Sequence, residues 1–323
     1  MIRAARFRPS LLWGGIALGS MFVCSAAAFA DEALWKMYVE TGAEAYEAGR
    51  YATAETMFLA ACTEAEGFGA NDLRLASTLF QLARVYNRED KDEKVELECR
   101  RAIEIWDASS APASIKVAVD LSELLTKLAG ELRGREKYAE AEPLYKRAQE
   151  IAEKYFAPDD PHLAEALTAQ AKNFYDGGKY DEAEPLYKRA LDIIEKNKGS
   201  EDGDVVNAIR PLALTLFAQK KFDQARLLTE RAIAILEKNK KPDYLAAPLT
   251  FLGLTCENLG RYADAERAYK RALDTLGRDN SGALDTLENY SRMLRYLERE
   301  PEAEALEARI RRIRTTTSTR RDN

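Results

Sequence analysis

The chain has 323 residues, of which 32% are charged and 46% are apolar, and its formal net charge is −6. This apolar content excludes an intrinsically disordered chain, and the diffuse acidic balance argues against nucleic acid as the partner. Gly and Pro are sparse, at 17 and 10 residues, whereas Ala, Glu, Leu, Lys and Arg abound. This composition favours helices.

The N-terminal segment, residues 1–30, has the pattern of a secretory signal peptide. Arg3, Arg6 and Arg8 precede an apolar or small stretch over Leu11–Ala30, which ends in the cleavage-site pattern Ala28-Phe29-Ala30. We therefore expect cleavage before Asp31 and a periplasmic or secreted protein. Loss of the three arginines leaves 45 basic and 54 acidic residues, a net charge of −9, and no further long apolar run that would contact a membrane. The alternative is a retained anchor helix, because an apolar stretch of about 20 residues can just span a bilayer.

A short block recurs along the chain. The sequence AEAEPLYKRA at Ala139–Ala148 returns as DEAEPLYKRA at Asp181–Ala190 and as ADAERAYKRA at Ala263–Ala272. Recurrence at a fixed period predicts an array of stacked repeats rather than a single large core. Alignment of the whole chain gives seven starts for the second helix of a repeat, at Tyr51, Asp92, Tyr138, Tyr180, Phe222, Tyr262 and Glu300.

The residue pattern of each repeat predicts two packed helices. In the first helix of the fourth repeat, Leu167, Ala171 and Phe174 form one apolar stripe, and Gly177-Gly178 provides a left-handed end. In the second helix, Ala, Leu and Tyr of the recurrent block face inward, and its Lys-Arg pair is expected to face solvent. A small residue that allows close helix approach recurs nine positions before each start. These residues are Gly42, Ala83, Ala129, Ala171, Ala213, Gly253 and Ser291.

This pattern of small and aromatic residues resembles the tetratricopeptide repeat (TPR) family over about Leu34–Arg314. The segment Pro158–Ala164 (PDDPHLA) is similar to the kinesin light chain variety of the repeat. The repeat spacing of about 42 residues is also similar to that variety, and it exceeds the spacing of the common form. The resemblance implies a right-handed α-solenoid of helix-turn-helix repeats. It also implies a concave groove, lined by the first helices, that binds a protein or peptide.

Two parts of the array depart from the regular pattern. The step from Asp92 to Tyr138 is longer than the others, and we expect its extra residues in the 107–113 loop or the 130–137 turn. The last repeat carries a run of arginines, which is typical of a terminal repeat with a polar outer face. Residues 315–323 are polar and basic, so we expect a disordered tail.

The cysteine and histidine content gives little support for chemistry. Beyond the signal, Cys62, Cys99 and Cys256 form no CxxC pair, so we expect small buried packing residues; a Cys62–Cys99 bridge is the alternative. His162 is the only histidine, and we expect it to cap a helix or pack a loop. Either Asp159 or Asp160 is expected to cap the helix that follows. No metal-ligand cluster, phosphate-binding loop or nucleophile motif is present, so the sequence predicts no cofactor.

The positions that should face the groove are basic and aromatic at its centre. They comprise Arg84, Asn87, Arg133, Lys172, Tyr175, Arg210 and Phe217. The flanks hold Lys36, Tyr46, Phe80, Arg292 and Arg295, and the acids on the same face are Glu123, Glu165, Glu257, Asp285 and Glu288. Arg and aromatic side chains suit a peptide with acidic side chains or a free carboxylate. The alternative is an ordinary solvated face whose cations pair with nearby Glu. The carboxylate clamp of chaperone-binding relatives needs Lys and Asn at set places, and only Asn87 comes near.

The sequence therefore predicts an all-α solenoid of about seven TPR repeats over residues 31–314. Its expected function is to hold envelope proteins together without chemistry of its own. One alternative is a membrane-tethered part of an envelope assembly or secretion machine, in which the N-terminal helix is retained. Another is an enzyme or its regulatory part, which would need a cluster of His, Cys or paired acids on one face. The partner and the oligomeric state are left open.

Overall fold

The computed structural model describes residues 32–109, 115–276 and 281–321. These residues form fourteen α-helices in consecutive packed pairs and no strand. The expected signal peptide, residues 1–30, lies outside the described residues. Within the described ranges, no helix combines the length and the apolar character needed to cross a bilayer.

The helices alternate between first and second members of a repeat. The first helices are α1 (residues 32–47), α3 (Leu73–Arg88), α5 (Ile115–Gly134), α7 (Pro161–Asp176), α9 (Gly203–Ala218), α11 (Ala246–Asn258) and α13 (Leu284–Tyr296). The second helices are α2 (Tyr51–Glu66), α4 (Asp92–Ala108), α6 (Tyr138–Tyr155), α8 (Tyr180–Lys198), α10 (Phe222–Lys238), α12 (Tyr262–Leu276) and α14 (Glu300–Arg321). Every second helix starts at one of the seven residues on which the sequence repeats align. Short 3-10 turns at Pro242–Tyr244 and Ser281–Ala283 precede α11 and α13.

The chain divides into two compact units, residues 1–135 and 136–323, which we call unit 1 and unit 2. In unit 1, α3 packs against α2, α4 and α5. In unit 2, every helix from α6 to α13 packs against the next one along the chain. Each unit therefore buries its apolar stripes between sequence neighbours, as a repeat array requires.

The turn inside each repeat has a left-handed residue two positions before the second helix. At Gly178 φ is +75°, and at the equivalent Lys220 it is +61°. The N–H of the following residue, Lys179 or Lys221, donates to a carbonyl in the last turn of the first helix at 2.8 Å. The left-handed conformation is thus imposed by the turn even at Lys220, where a side chain makes it cost about 1–2 kcal/mol.

Ion pairs join neighbouring repeats through the recurrent block. In each contact, the basic residue just before a second helix binds a Glu of the preceding second helix. That Glu lies four positions after the start of its helix. We call this contact a junction ion pair. The junction ion pairs are Lys91–Glu55 (3.2 Å), Lys179–Glu142 (2.7 Å), Lys221–Glu184 (2.6 Å) and Arg299–Glu266 (2.6 Å).

The Lys-Arg pair of the recurrent block is mostly exposed, as expected, and its arginine also forms an ion pair with the preceding repeat. Nine positions into a second helix, it reaches a Glu near the end of the preceding second helix. The pairs are Arg101–Glu66 (2.6 Å), Arg189–Glu153, Arg231–Glu195 (2.7 Å) and Arg271–Glu237. The sequence block recurs because it carries contacts between repeats as well as the apolar stripe.

The junction ion pairs make the stability of unit 2 sensitive to acid. Burial raises the pKa of Glu184, but hydrogen bonds from Lys188 and Lys221 outweigh it and lower the pKa to about 2. A hydrogen bond from Arg299 similarly lowers the pKa of Glu266 to about 2. Both carboxylates have an ordinary pKa of 4.5, so the unfolded chain binds these protons more readily than the folded one. Their contribution to stability is present above pH 4.5 and is lost as the pH falls toward 2.

We expect the urea midpoint of unit 2, followed by circular dichroism, to fall between pH 5 and pH 2. The double variant Glu184→Gln, Glu266→Gln should be less stable than wild type at pH 7 and should lose less stability over this range. An equally steep fall in the double variant would contradict the assignment of the acid sensitivity to these two carboxylates.

The extra residues of the third repeat lie in its first helix, which corrects the expected placement in a loop or turn. Helix α5 spans 20 residues, whereas α3 and α7 span 16 each. No Gly or Pro occurs over residues 115–129, so nothing delays the start of the helix. The turn that follows α5 has the same length as the turns after α3 and α7.

The C-terminal end differs from the disordered tail expected for residues 315–323. Helix α14 continues to Arg321, because no Gly or Pro follows Pro301 to end it; residues 322 and 323 lie outside the described residues. At the positions where α10 packs Ile233 and Leu236 against the next repeat, α14 carries the exposed Arg311 and Arg314. The outer face is therefore polar, as predicted for a terminal repeat.

The cysteines beyond residue 30 are packing residues. Cys62, Cys99 and Cys256 are buried and form no disulfide. Burial raises the pKa of the Cys62 and Cys99 thiols to about 12. Neither is a reactive thiolate at neutral pH, and the Cys62–Cys99 bridge is absent.

Candidate partner-binding surface

His162 has the structural role expected from the sequence. It lies in the first turn of α7, where its backbone N–H donates to Asp160 Oδ1 at 2.8 Å. Asp160 is thus the residue that caps the helix. The imidazole Nδ1 lies 2.8 Å from the same oxygen, and the ring packs against Phe156 at a centroid distance of 5.2 Å.

In unit 1, the predicted groove residue Arg84 belongs to a network around Glu131. Its Nε and Nη2 donate to Glu131 Oε1 at 3.2 and 3.1 Å, and its guanidinium lies 4.4 Å from the centroid of the Tyr46 ring. The Tyr46 hydroxyl donates to the same Oε1 at 2.7 Å and accepts from Arg88 Nε at 3.0 Å. Burial raises the pKa of Tyr46, which keeps the hydroxyl a neutral donor.

Asn87, a second predicted groove residue, closes the same network. It is 1% exposed, and its side-chain amide donates to Glu131 Oε2 at 3.4 Å. Arg135 Nη1 donates to the Asn87 carbonyl at 2.5 Å and to its Oδ1 at 2.7 Å. The hydrogen-bonding groups of Arg84 and Asn87 are therefore used inside unit 1. Arg133, on α5 in the same unit, is half-buried.

The aromatic groove residues also have contacts within their own repeats. Tyr175 packs edge-on against Tyr180 at 5.4 Å between centroids, and Phe217 packs against Phe222 at 5.1 Å. Tyr175 and Phe217 are half-buried, so each keeps part of its ring at the surface. Burial raises the pKa of Tyr175 above its ordinary value, so its hydroxyl stays neutral.

Lys172 and Arg210 differ from the other candidates because both are exposed. Neither forms a hydrogen bond, ion pair or ring contact with another residue in the described ranges. Lys172 lies on α7 eight positions before its second helix, and Arg210 lies on α9 twelve positions before. The sequence predicts that both registers face the groove.

Half-buried apolar side chains on the same registers of α9 and α11 extend this surface. Leu214 follows Arg210 by one helical turn, and Leu254 has the same register on α11. Phe251 lies 5.4 Å from Phe217 between ring centroids, which joins the two helices. We call the set Lys172, Tyr175, Arg210, Leu214, Phe217, Phe251 and Leu254 the first-helix face of unit 2. The selection from the sequence missed its leucines and Phe251 because it looked for charged and aromatic residues at four registers only.

Two of the acids predicted on this face have different surroundings. Glu165 is exposed at the start of α7. Glu257 accepts from the Tyr269 hydroxyl at 3.0 Å and lies 3.8 Å from Arg292, so its charge is partly compensated within repeats 6 and 7. The part of the chain that the structure describes contains no group of three or more His, Cys, Asp or Glu residues that could hold a metal ion.

Comparison with known proteins identifies the repeat type. The family model for the tetratricopeptide repeat matches residues 120–196 and 204–276. No curated protein matches the chain. A solved structure of a kinesin light chain with nearly identical TPR-like repeats from Podosopora anserina is similar, with a TM-score of 0.55 and 20% identity, over 62% of this chain and 97% of that one. The structure of BtubC (BKLC) from P. vanneervenii is similar with a TM-score of 0.50 and 19% identity, over 76% of this chain and 91% of that one.

At these identities the two structures show a common fold, and the predicted all-α TPR fold is confirmed. This fold is typical of scaffolds that bind proteins or peptides, and such repeats are generally non-catalytic. The repeat pattern, the paired helices and the family match together identify residues 120–196 and 204–276 as repeats of the tetratricopeptide repeat family.

Proposed function

We propose that this protein is a non-catalytic scaffold that binds a segment of a partner protein on the first-helix face of unit 2. The observation that carries the proposal is the presence of two exposed cations, Lys172 and Arg210, without partners among the described residues, beside half-buried apolar rings. The segment that suits this surface combines an acidic side chain or a terminal carboxylate with an apolar residue.

The physical basis is complementarity of charge and shape. A carboxylate forms paired, charge-assisted hydrogen bonds with the planar guanidinium of Arg210, while the ammonium of Lys172 adds a second cation. Phe217, Phe251 and Leu214 offer apolar area that a partner side chain can cover. Unit 1 offers a partner fewer available hydrogen-bonding groups, because Glu131 already accepts from Arg84 and Asn87 on the corresponding helix.

We also propose that the scaffold acts outside the cytoplasm, in the periplasm or beyond it. The support is the basic start, apolar stretch and Ala28-Phe29-Ala30 site of the N-terminal segment. The mass of the protein purified from its native host tests this proposal. A start at Asp31 supports export with cleavage, whereas an intact N-terminus supports the alternative of a membrane-tethered component.

The binding proposal is tested with the double variant Lys172→Ala, Arg210→Ala and a fluorescent Glu-rich peptide that contains leucine. The matched control is Lys146→Ala, Lys196→Ala, which removes two exposed cations from the second helices α6 and α8. Each charge-assisted hydrogen bond contributes about 1.5–3 kcal/mol, so we expect the site variant to bind at least tenfold more weakly and the control to bind like wild type.

Circular dichroism should show the same helix content in all three proteins, because both pairs of side chains are exposed. Equal weakening in the site variant and the control would mean that the peptide responds only to net charge. That result, or unchanged binding by the site variant, would exclude the first-helix face as the binding surface.

A further inference from the structure

Repeat 5 reverses an ion pair that other repeats keep in one orientation. In repeats 4 and 6, a Glu four positions after the start of the second helix accepts from a Lys one turn later; the pairs are Glu184–Lys188 (2.5 Å) and Glu266–Lys270 (2.6 Å). In repeat 5, the same two positions hold Arg226 and Glu230, in the opposite order. The Glu of this pair is also the acid of the junction ion pair, so the reversal changes the contact with the next repeat.

The reversal removes the junction ion pair between repeats 5 and 6. The residue before α12 is Arg261, which would face Arg226 rather than a Glu. Instead, Arg226 donates to both oxygens of Glu230 at 2.8 and 2.9 Å, and Arg261 Nε donates to Asp264 at 2.7 Å. Each arginine thus hydrogen-bonds an acid of its own repeat, and Glu230 adds a weaker electrostatic attraction to Arg261 across the junction. Arg226 Nε is buried without a hydrogen-bond acceptor, and an unsatisfied buried donor destabilises the packing of this junction.

The linker between repeats 5 and 6 carries a second, independent strain. Lys240, between α10 and α11, has φ of +53°. The other non-glycine residues with positive φ among those described, such as Lys220, all lie in the turn inside a repeat. The left-handed residues in two other linkers, Gly69 and Gly199, are glycines, which adopt this conformation without steric cost. The linker before α11 therefore carries a steric cost of about 1–2 kcal/mol at Lys240 that the linkers with glycine avoid.

Apolar packing and the Arg271–Glu237 ion pair are the main contacts that remain across this junction. Ile233 and Leu236 of α10 pack with Leu245 and Leu249 of the next repeat in a small separate cluster. On the first-helix face, Phe217 of α9 contacts Phe251 of α11. The flanking junctions keep their ion pairs, Lys221–Glu184 and Arg299–Glu266.

We infer that the junction between repeats 5 and 6 is a hinge at which unit 2 opens, so that α11–α14 separate from the preceding repeats as one group. Helices with fewer stabilising contacts to a neighbour open at a lower free energy than the rest of an array. The hinge passes through the Phe217–Phe251 contact, so opening would change the spacing of the apolar residues on the first-helix face. This inference concerns motion within unit 2 and holds whether or not that face binds a peptide.

The test is native-state hydrogen exchange, measured by mass spectrometry at low urea concentrations. In the wild-type protein, amides of α11–α14 should exchange as a group, at least about tenfold faster than amides of α7–α10. The double variant Arg226→Glu, Glu230→Lys gives repeat 5 the orientation of repeats 4 and 6, restores an acid for Arg261 and leaves the net charge unchanged. It should slow exchange in α11–α14 toward the rate in α7–α10.

Two charge-neutral variants complete the test. Glu184→Lys, Lys188→Glu reverses the pair in repeat 4 and should create a second hinge, with α9–α14 opening ahead of α7 and α8. Lys36→Glu, Glu40→Lys reverses an exposed pair in α1 and should leave exchange in unit 2 unchanged. Equal exchange rates on both sides of the junction in wild type would overturn the hinge. So would a lack of response to the restored pair in repeat 5.

Discussion

Replacing Glu131 with Gln is expected to destabilise unit 1 by about 3–5 kcal/mol, the usual result of removing one partner from a buried ion pair. The side chains of Glu131 and Arg84 are each only 12% exposed, so the remaining guanidinium cannot be solvated in place. Gln keeps the shape of Glu but carries no charge. Arg84 would then lie beside Tyr46 without a buried counter-ion, since its other acidic neighbour, Glu47, is 4.0 Å away and mostly exposed.

Tryptophan fluorescence measures this effect separately from unit 2. A chain that begins at Asp31 has two tryptophans, Trp35 and Trp106, and both lie in unit 1. The control is Glu47→Gln, which removes a mostly exposed carboxylate next to the same arginine and should change stability by less than about 1 kcal/mol. If Glu131→Gln and Glu47→Gln shifted the urea midpoint of the fluorescence signal equally, Glu131 would not be the centre of the network.

The helix boundaries could be predicted from the sequence because local signals set them. The left-handed turn is visible in the sequence at Gly178, where glycine marks it, but not at Lys220, where hydrogen bonds impose the same geometry on a lysine. The starts of the second helices were nevertheless found, because the aromatic and alanine positions recur after every turn. The position predicted for the extra residues of repeat 3 is wrong, because an alignment gives their number and not the element that contains them.

The pairing of charged side chains could not be predicted in the same way. Arg84 and Arg210 are both arginines assigned to the groove, yet the first is held by Glu131 and the second is exposed. The difference depends on Glu131, which follows Arg84 by 47 residues in the chain. Glu131 lies on a helix register outside the predicted groove. Sequence periodicity gives the face on which a side chain lies, whereas its availability for a partner depends on contacts between repeats.

This distinction divides the predicted groove into two functional parts. The network of unit 1 fixes the relative positions of α1, α3 and α5, because Tyr46, Arg84 and Glu131 lie one on each helix and contact one another. Among the described residues, Lys172 and Arg210 on the first-helix face of unit 2 form no such network, and the apolar residues of this face lie on both sides of the hinge. Variation in partner choice should therefore follow the exposed residues of α7, α9 and α11.

Replacing Gly253 with Ala is expected to destabilise unit 2 by about 1–3 kcal/mol, the usual cost of overpacking a core. A Cβ atom at this position would lie 2.5 Å from Cε1 of Tyr269. The Tyr269 ring is fully buried, its hydroxyl donates to Glu257, and it stacks on Tyr290 at 5.6 Å between centroids. The ring is therefore held from three sides and cannot turn away from an added methyl group.

The matched control is Gly203→Ala, which makes the same change at the first residue of α9, where a Cβ atom would have no neighbour within 4 Å. Alanine is the better helix former by about 1 kcal/mol, so the control should be neutral or more stable. Both variants should leave the tryptophan transition of unit 1 unchanged, because the effect reaches only neighbouring repeats. Repeat 4 accommodates Ala171 and Tyr187 at the corresponding positions of one apolar cluster. If Gly253→Ala did not change the stability of unit 2, α11 and α12 would be able to separate to the spacing of α7 and α8 without loss of packing. Glycine would then not be required for the close helix pair of repeat 6.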